Sequence, residues 1–104
     1  MDVSKVGSDM LNAAAAAAGA TWNKVQHNFA SDLEEVLRSG AEIEADLAAG
    51  TVSEDIGEEM LKDKSRELFV LTQEAVVENR VAVQNAINAA IDVLWTAVKA
   101  AAKV

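Results

Sequence analysis

The residue types that carry most enzyme chemistry are sparse in this chain. Cysteine is absent and His27 is the only histidine, so the sequence offers no thiolate metal site and no Cys–His or Ser–His pair with a supporting carboxylate. A helical step of about 100° per residue places His27 on the opposite side of its helix from Trp22, Val25 and Phe29. No glycine-rich phosphate-binding motif is present. We therefore predict a protein that is not an enzyme and that binds no cofactor.

Carboxylates are abundant, and they suggest one alternative chemistry. The chain has 17 acidic and 9 basic residues, for a formal net charge of −8. An acidic helical bundle resembles the ferritin-like carboxylate proteins, which hold metal with inward-facing glutamates and Glu-x-x-His pairs. That resemblance implies a metal or small-ligand site in the bundle core. This chain has no Glu-x-x-His, and Glu67, Glu74, Glu78 and Asp92 share one polar face, so we assign no metal ligand.

The acidic residues are concentrated in one segment of the chain. Residues 32–59 contain ten acidic residues and one basic residue, Arg38, for a net of −9, whereas the rest of the chain carries +1. This charge argues against nucleic-acid binding, which needs a basic surface. We predict an acidic tip that docks a basic protein partner, with a merely solubilising surface as the alternative. The predicted partner-binding residues are Glu42, Glu44, Asp46, Glu54, Asp55, Glu58 and Glu59.

Composition and turn signals predict the elements that position these residues. The chain is 51% hydrophobic, only 4% aromatic and free of proline, which favours an all-α fold for one domain, residues 1–104. Gly50 is typical of the residue after a helix, and Thr51 and Ser53 are candidate caps for the next helix. We therefore predict a helical turn near the middle of the chain.

Apolar periodicity extends the two helices on either side of this turn. One apolar stripe keeps its phase from Leu11 to Leu47 across Gly19 and Gly40. The pattern predicts one helix over residues ~8–49 and a second over ~53–102, which together form a long antiparallel helical hairpin. In such a hairpin the acidic tip lies at the end opposite Lys99.

The second predicted helix has an apolar arc about twice the ~100° of a helix with one buried side. A single hairpin leaves that face uncovered, so we predict that two hairpins form a homodimeric, coiled-coil-like four-helix bundle. The alternative is a monomer in which breaks near Gly19, Gly40 or Gly57 produce three or four shorter helices. The predicted dimer interface contains Phe69, Val76, Asn79, Val83, Ile87 and Leu94, with the polar Asn79 setting the register.

Membrane association is predicted to be peripheral if it occurs. Asn88, Asp92 and Lys99 interrupt the longest apolar run, which falls short of the ~18 apolar residues of a spanning helix. We therefore expect no transmembrane segment and, by default, a cytoplasmic location. The wide apolar face of the second helix allows reversible binding to a lipid or granule surface as a further alternative. The main prediction is a non-enzymatic structural or interaction protein.

Overall fold

The structure is a computed structural model that describes residues 1–75 and 80–103, and the regular elements in these ranges are all helical. The molecule extends over 42 × 22 × 18 Å, with a radius of gyration of 13.3 Å. The predicted all-α class is confirmed. The elements are α1 (Val3–Ala18), a 3-10 turn (Gly19–Thr21), α2 (Trp22–Ala48), α3 (Glu54–Ala75) and α4 (Arg80–Ala102).

The helices pack side by side, and each runs antiparallel to the helix before it in the chain. Gly7 near the start of α1 lies against Leu37 in the second half of α2, and Gly57 near the start of α3 lies against Ile43 of α2. Helix α4 packs against all three other helices, most extensively against α1. The wide apolar arc of the second half of the chain therefore finds several neighbours within one chain.

The predicted continuous helix over residues 8–49 is wrong, because the chain breaks at Gly19. Gly19 has φ 59° and ψ −132°, a conformation close to the first central position of a type II′ turn and suited to glycine. A 3-10 turn follows, and α2 then begins at Trp22. A straight helix over those residues would be roughly 60 Å long, which exceeds the 42 Å length of the molecule.

The apolar stripe does not keep its phase through α1. The sequence pattern continued the stripe of α2 into α1 through Leu11, Ala15 and Ala18; Ala18 is buried as predicted, but Leu11 and Ala15 are only half-buried. The buried face of α1 contains Met10 and Ala14 instead, one position earlier. Residues 13–18 at the end of α1 are all alanine, so every side of this part of the helix is equally apolar. The pattern therefore cannot show which alanines face the core. In α2 the predicted stripe is confirmed from Val25 to Leu47.

The predicted single helix over residues 53–102 is also wrong. Leu61 and Lys62 of α3 line the same cleft as Ile91 and Asp92 of α4. In one continuous helix these pairs would be about 45 Å apart. Helix α4 therefore runs back along α3, and two of the predicted interface residues, Val76 and Asn79, lie outside the described residues.

Three other predicted dimer-interface residues belong to the core of the single chain. Val83 is 1% exposed, and Ile87 and Leu94 are fully buried. They pack with the core residues of the other helices, so a second chain cannot reach them while the bundle stays closed. Phe69 is half-buried and packs against the edge of the same core. The interface role predicted for Val83, Ile87 and Leu94 is thus replaced by a core role.

The helix ends follow local capping rules. Lys5 donates its backbone N–H to the Asp2 side chain at 3.1 Å, so α1 begins at Val3 and not near residue 8 as predicted. Gly50 follows α2 with φ 75°, which confirms the predicted turn. Ile56 donates its backbone N–H to the Ser53 hydroxyl at 3.3 Å, so Ser53 caps α3.

Within the described part of the chain, α4 alone is long and apolar enough to cross a membrane by length and composition. This length and hydropathy also suit a core helix. Six of its residues are buried among the other helices, namely Val83, Ala86, Ile87, Ala90, Leu94 and Val98.

Candidate functional site

The predicted acidic tip is divided by the bundle over several faces. Glu42 and Asp46 are one helical turn apart on α2, on the side towards α3, whereas Glu44 lies two residues from each and so points to the other side. On α3, Glu58 lines a cleft against α4, while Asp55 and Glu59 are exposed. The structure thus brings Glu42 and Asp46 together and separates Glu44 and Glu58 from them.

Basic residues share the end of the molecule that holds the acidic tip. Trp95 of α4 lines the same cleft as Glu58, near the start of α3, and Lys99 lies one turn further along α4 with its Nζ 5.5 Å from the Trp95 ring centroid. The predicted separation of Lys99 from the tip is therefore wrong, because α4 returns to this end. Lys99 therefore lies at the same end of the bundle as Glu58.

The surface where α2 and α3 lie side by side carries a row of carboxylates on α2, which we name the α2 wall. Glu35, Glu42 and Asp46 are spaced by seven and four residues and form one stripe on α2. The close contact of Gly57 with Ile43 and Leu47 fixes α3 beside this stripe. We name this surface the acidic valley and define it by Glu35, Glu42 and Asp46 on α2 and by Ile56, Glu59, Met60 and Asp63 on α3.

The pKa of Lys64 on α3 shows that carboxylates on α2 act electrostatically on α3. Lys64 Nζ lies 3.2 Å from Glu67 Oε2, and this hydrogen-bonded ion pair is the main cause that raises the pKa of Lys64 above its ordinary value of 10.5. Glu35 and Glu42 on α2 raise the pKa of Lys64 further through their negative charge. The α2 carboxylates are therefore close enough to influence a cation on α3.

The two walls differ in how far their charges are balanced within the chain. On α3, Arg66 lies 3.9 Å from Glu59 and also pairs with Asp63, and Lys62 lies 3.5 Å from Glu58. On α2, none of Glu35, Glu42 and Asp46 has a cationic nitrogen within 4 Å among the described residues. Among the described residues the α2 wall therefore forms no ion pair within 4 Å, and Lys64 on α3 is the cation on which the charges of Glu35 and Glu42 act.

Two large apolar side chains are exposed beside this charge. Ile56 is 53% exposed and Met60 is 38% exposed, and they lie one turn apart on α3. Sequence analysis missed both residues. The available signal was an apolar pair at i and i+4 inside a strongly acidic first half of a helix, with Gly57 and Leu61 already supplying the core-facing positions.

A second depression lies between α3 and α4 and has a volume of about 340 Å³. Leu61, Ile91 and Trp95 form its apolar part. Its rim is polar, with Glu58, Lys62, Ser65, Asn88 and Asp92. We name it the α3–α4 cleft. The sequence does not predict this cleft, because the cleft exists only when α4 returns beside α3.

Among the described residues, His27 and the other side chains that could bind metal do not lie together in one site. His27 is exposed in a shallow groove with Trp22 and Gln26 between α1 and α2. Residues 1–75 and 80–103 contain no group of three or more His, Asp or Glu side chains placed to hold a metal ion. The ferritin-like alternative therefore finds no ligand set in that part of the chain.

Comparison with known proteins adds no family assignment: the chain matches no protein-family model, no curated protein and no solved structure.

Proposed function

We propose that this protein is a non-enzymatic binding protein that docks a basic protein partner on the acidic valley. The observation that carries the proposal is the α2 wall, where three carboxylates share one stripe without a cationic partner among the described residues. Such a surface attracts positive charge and speeds the encounter with a basic partner. The acidic valley keeps Glu42, Asp46 and Glu59 from the predicted acidic tip and adds Glu35 and Asp63.

The structure of one chain does not test dimerisation, and we propose the alternative, a monomer of shorter helices, because the original reason for a second hairpin is weakened. Among the described residues of the apolar arc, Val83, Ile87, Leu94 and Val98 are buried against other helices of the same chain. These residues of α4 are therefore not available for reversible lipid or granule binding while the bundle stays closed. Docking through charge on the surface needs neither a second copy nor an opened bundle.

Isosteric removal of charge tests the proposal. The valley variant Glu35→Gln/Glu42→Gln/Asp46→Asn should bind a lysine-rich model peptide about tenfold more weakly than the parent protein at low salt, because three negative charges are lost. Affinity is measured by isothermal titration calorimetry at several salt concentrations. Screening should weaken the binding of the parent protein as salt rises.

A matched control separates the valley from net charge. The variant Asp9→Asn/Glu34→Gln/Glu44→Gln removes the same number of charges from α1 and from other sides of α2. It should change the affinity by less than about twofold, since these charges lie away from the valley. Equal weakening by both variants would contradict docking on the valley and leave only a diffuse effect of net charge.

A small organic ligand in the α3–α4 cleft is the second candidate function. The cleft combines an apolar wall, including half-buried Trp95, with several polar groups, as ligand sites do. In a Trp22→Phe variant, Trp95 is the only tryptophan and its fluorescence reports on the cleft. Saturable changes with small aromatic amines, abolished by Ile91→Glu, would support this function, and a lack of response would count against it.

A further inference from the structure

We infer that the acidic valley binds an amphipathic α-helix with basic side chains, about three to four turns long, supplied by a partner protein. This inference rests on the proposed function and specifies the structure of the partner segment. Three features of the valley support a helical partner: its exposed apolar side chains, its negative charge and its shape.

The apolar stripe of the valley consists of Ile56 and Met60 at the start of α3, which are 53% and 38% exposed and lie one turn apart. The same line of the helix continues through Asp63 and Glu67 and reaches Val70, which is 54% exposed, about 21 Å from Ile56. Exposed apolar side chains gain free energy when a partner covers them, and the carboxylates beside them favour a partner that also carries basic residues. A partner that carried charge alone would leave Ile56 and Met60 in water.

The charge beside the stripe selects among the possible occupants. Glu35, Glu42 and Asp46 form the facing wall and lack cationic partners among the described residues. A second copy of this chain would bring the same acidic wall against itself, which is unfavourable in an isologous contact. A partner with apolar residues on one stripe and lysine or arginine beside it satisfies both parts of the valley.

The shape of the valley fits a helix. Helices α2 and α3 are in close contact at Gly57, where a Cβ would lie 3.3 Å from Ile43 Cγ2, so a third helix can pack along both of them. Amphipathic helices bind such surfaces with anchors at i, i+3, i+4 and i+7. The α2 wall from residue 35 to residue 46 is about 16 Å long, and it runs beside part of the apolar stripe.

Two synthetic peptides of identical composition test the inference. Both contain 18 residues of Leu, Lys and Ala; one places its leucines on a single helical stripe, and the other scatters them. We expect the amphipathic peptide to bind the full-length protein at least about tenfold more tightly by isothermal titration calorimetry, and to gain helical circular dichroism on binding. Equal affinity for both peptides would overturn the inference.

Variants that leave net charge unchanged test the apolar stripe. Ile56→Ser/Met60→Gln should weaken binding of the amphipathic peptide about tenfold and leave the scattered peptide unaffected. Val81→Ser is the matched control, because Val81 is 72% exposed on α4, away from the valley, and it should change neither affinity. An unchanged affinity in the Ile56/Met60 variant would overturn the inference.

The remaining outcomes distinguish this inference from the proposed function. If both peptides bind equally and only the valley charge variant weakens them, charge docking stands and helix docking is wrong. If neither peptide binds, both proposals fail. If sedimentation shows self-association that Ile56→Ser/Met60→Gln abolishes, a second copy occupies the stripe and the inference is overturned.

Discussion

At the scale of single residues, Gly40 shows how closely the helices approach one another. A Cβ on Gly40 would lie 2.8 Å from Leu94 Cδ1 and 3.1 Å from Leu94 Cγ. Leu94 is fully buried, so its whole side chain is held by neighbours and has little room to move. The absence of a side chain at Gly40 therefore permits the contact between α2 and α4.

We expect Gly40→Ala to destabilise the protein by about 1–2 kcal/mol. Overpacking costs about 1–3 kcal/mol, and the better helix propensity of alanine returns up to about 1 kcal/mol. Urea denaturation followed by circular dichroism measures the change. Gly7→Ala is the matched control, because its Cβ meets only the Cδ1 of Leu37, which lies at the edge of the core and can rotate. A larger loss at Gly7 than at Gly40 would contradict the assigned packing.

A second prediction at this scale concerns the pH dependence of Lys64. Its pKa is raised first by the hydrogen bond and charge of Glu67 and then by the charges of Glu35 and Glu42. A raised folded-state pKa means that the ion pair stabilises the protein below the ordinary pKa of 10.5 and that this stabilisation is lost as the pH rises through the folded-state value. Glu67→Gln should lower the Lys64 pKa measured by NMR titration of its side chain. A pKa of Lys64 that does not fall in this variant would contradict the ion pair.

At the scale of elements, Gly19 decides whether α1 continues into α2 or folds back on it. With φ 59° and ψ −132°, Gly19 adopts a conformation that other L-residues rarely adopt. No atom lies within 4 Å of a Cβ added there, so a substitution meets only backbone strain. The reversal lets α1 cover α4, which is the most extensive helix contact in the molecule.

We expect Gly19→Ala to destabilise the fold by about 1–3 kcal/mol, the usual cost of holding a non-glycine residue in such a conformation. Thermal and urea denaturation measure the loss. Gly50→Asn is the comparison, because Gly50 has φ 75° and asparagine tolerates the left-handed region better than alanine does. An equally stable Gly19→Ala protein would show that the break after α1 does not depend on this glycine.

At the scale of the whole molecule, α4 serves as the central helix of one hydrophobic core. Its buried residues contact the cluster formed by the other helices, and α1 lies against it where the predicted hairpin had no third helix. The core is therefore completed by four short helices of one chain within the described ranges. This arrangement removes the need for a second chain to cover the apolar arc.

This arrangement predicts a monomer that fails to fold when its core is charged. We expect a single species near 11.0 kDa by analytical ultracentrifugation. Val83→Glu should destabilise the protein by more than about 3 kcal/mol, because it buries an unpaired charge. Val81→Glu is the matched control two residues away, where the side chain is 72% exposed, and it should fold normally. A Val83→Glu protein that is folded but changes from dimer to monomer would restore the dimer interface.

Several features of the protein can be predicted from its sequence, because each of them depends on residues that are close together in the chain. The all-α class follows from composition. The turn follows from the ability of glycine at position 50 to adopt a positive φ, and the start of α3 follows from the capping hydroxyl of Ser53. The buried face of α2 follows from its apolar period, since large side chains such as Phe29 alternate there with charged ones. The wide apolar arc of residues 53–102 likewise predicts that this part of the chain packs against more than one helix.

Only the tertiary structure decided which residues meet across helices. The sequence does not show which side of α1 is buried, because its second half is mostly alanine. The break at Gly19 is favourable only because it lets α1 pack on α4. Likewise the acidic valley arises because α2 and α3 bring Glu42 within electrostatic range of Lys64, and the α3–α4 cleft arises because α4 returns along α3. Local sequence encodes helix type and ends, whereas the fold is selected by the apolar area that separate helices bury together.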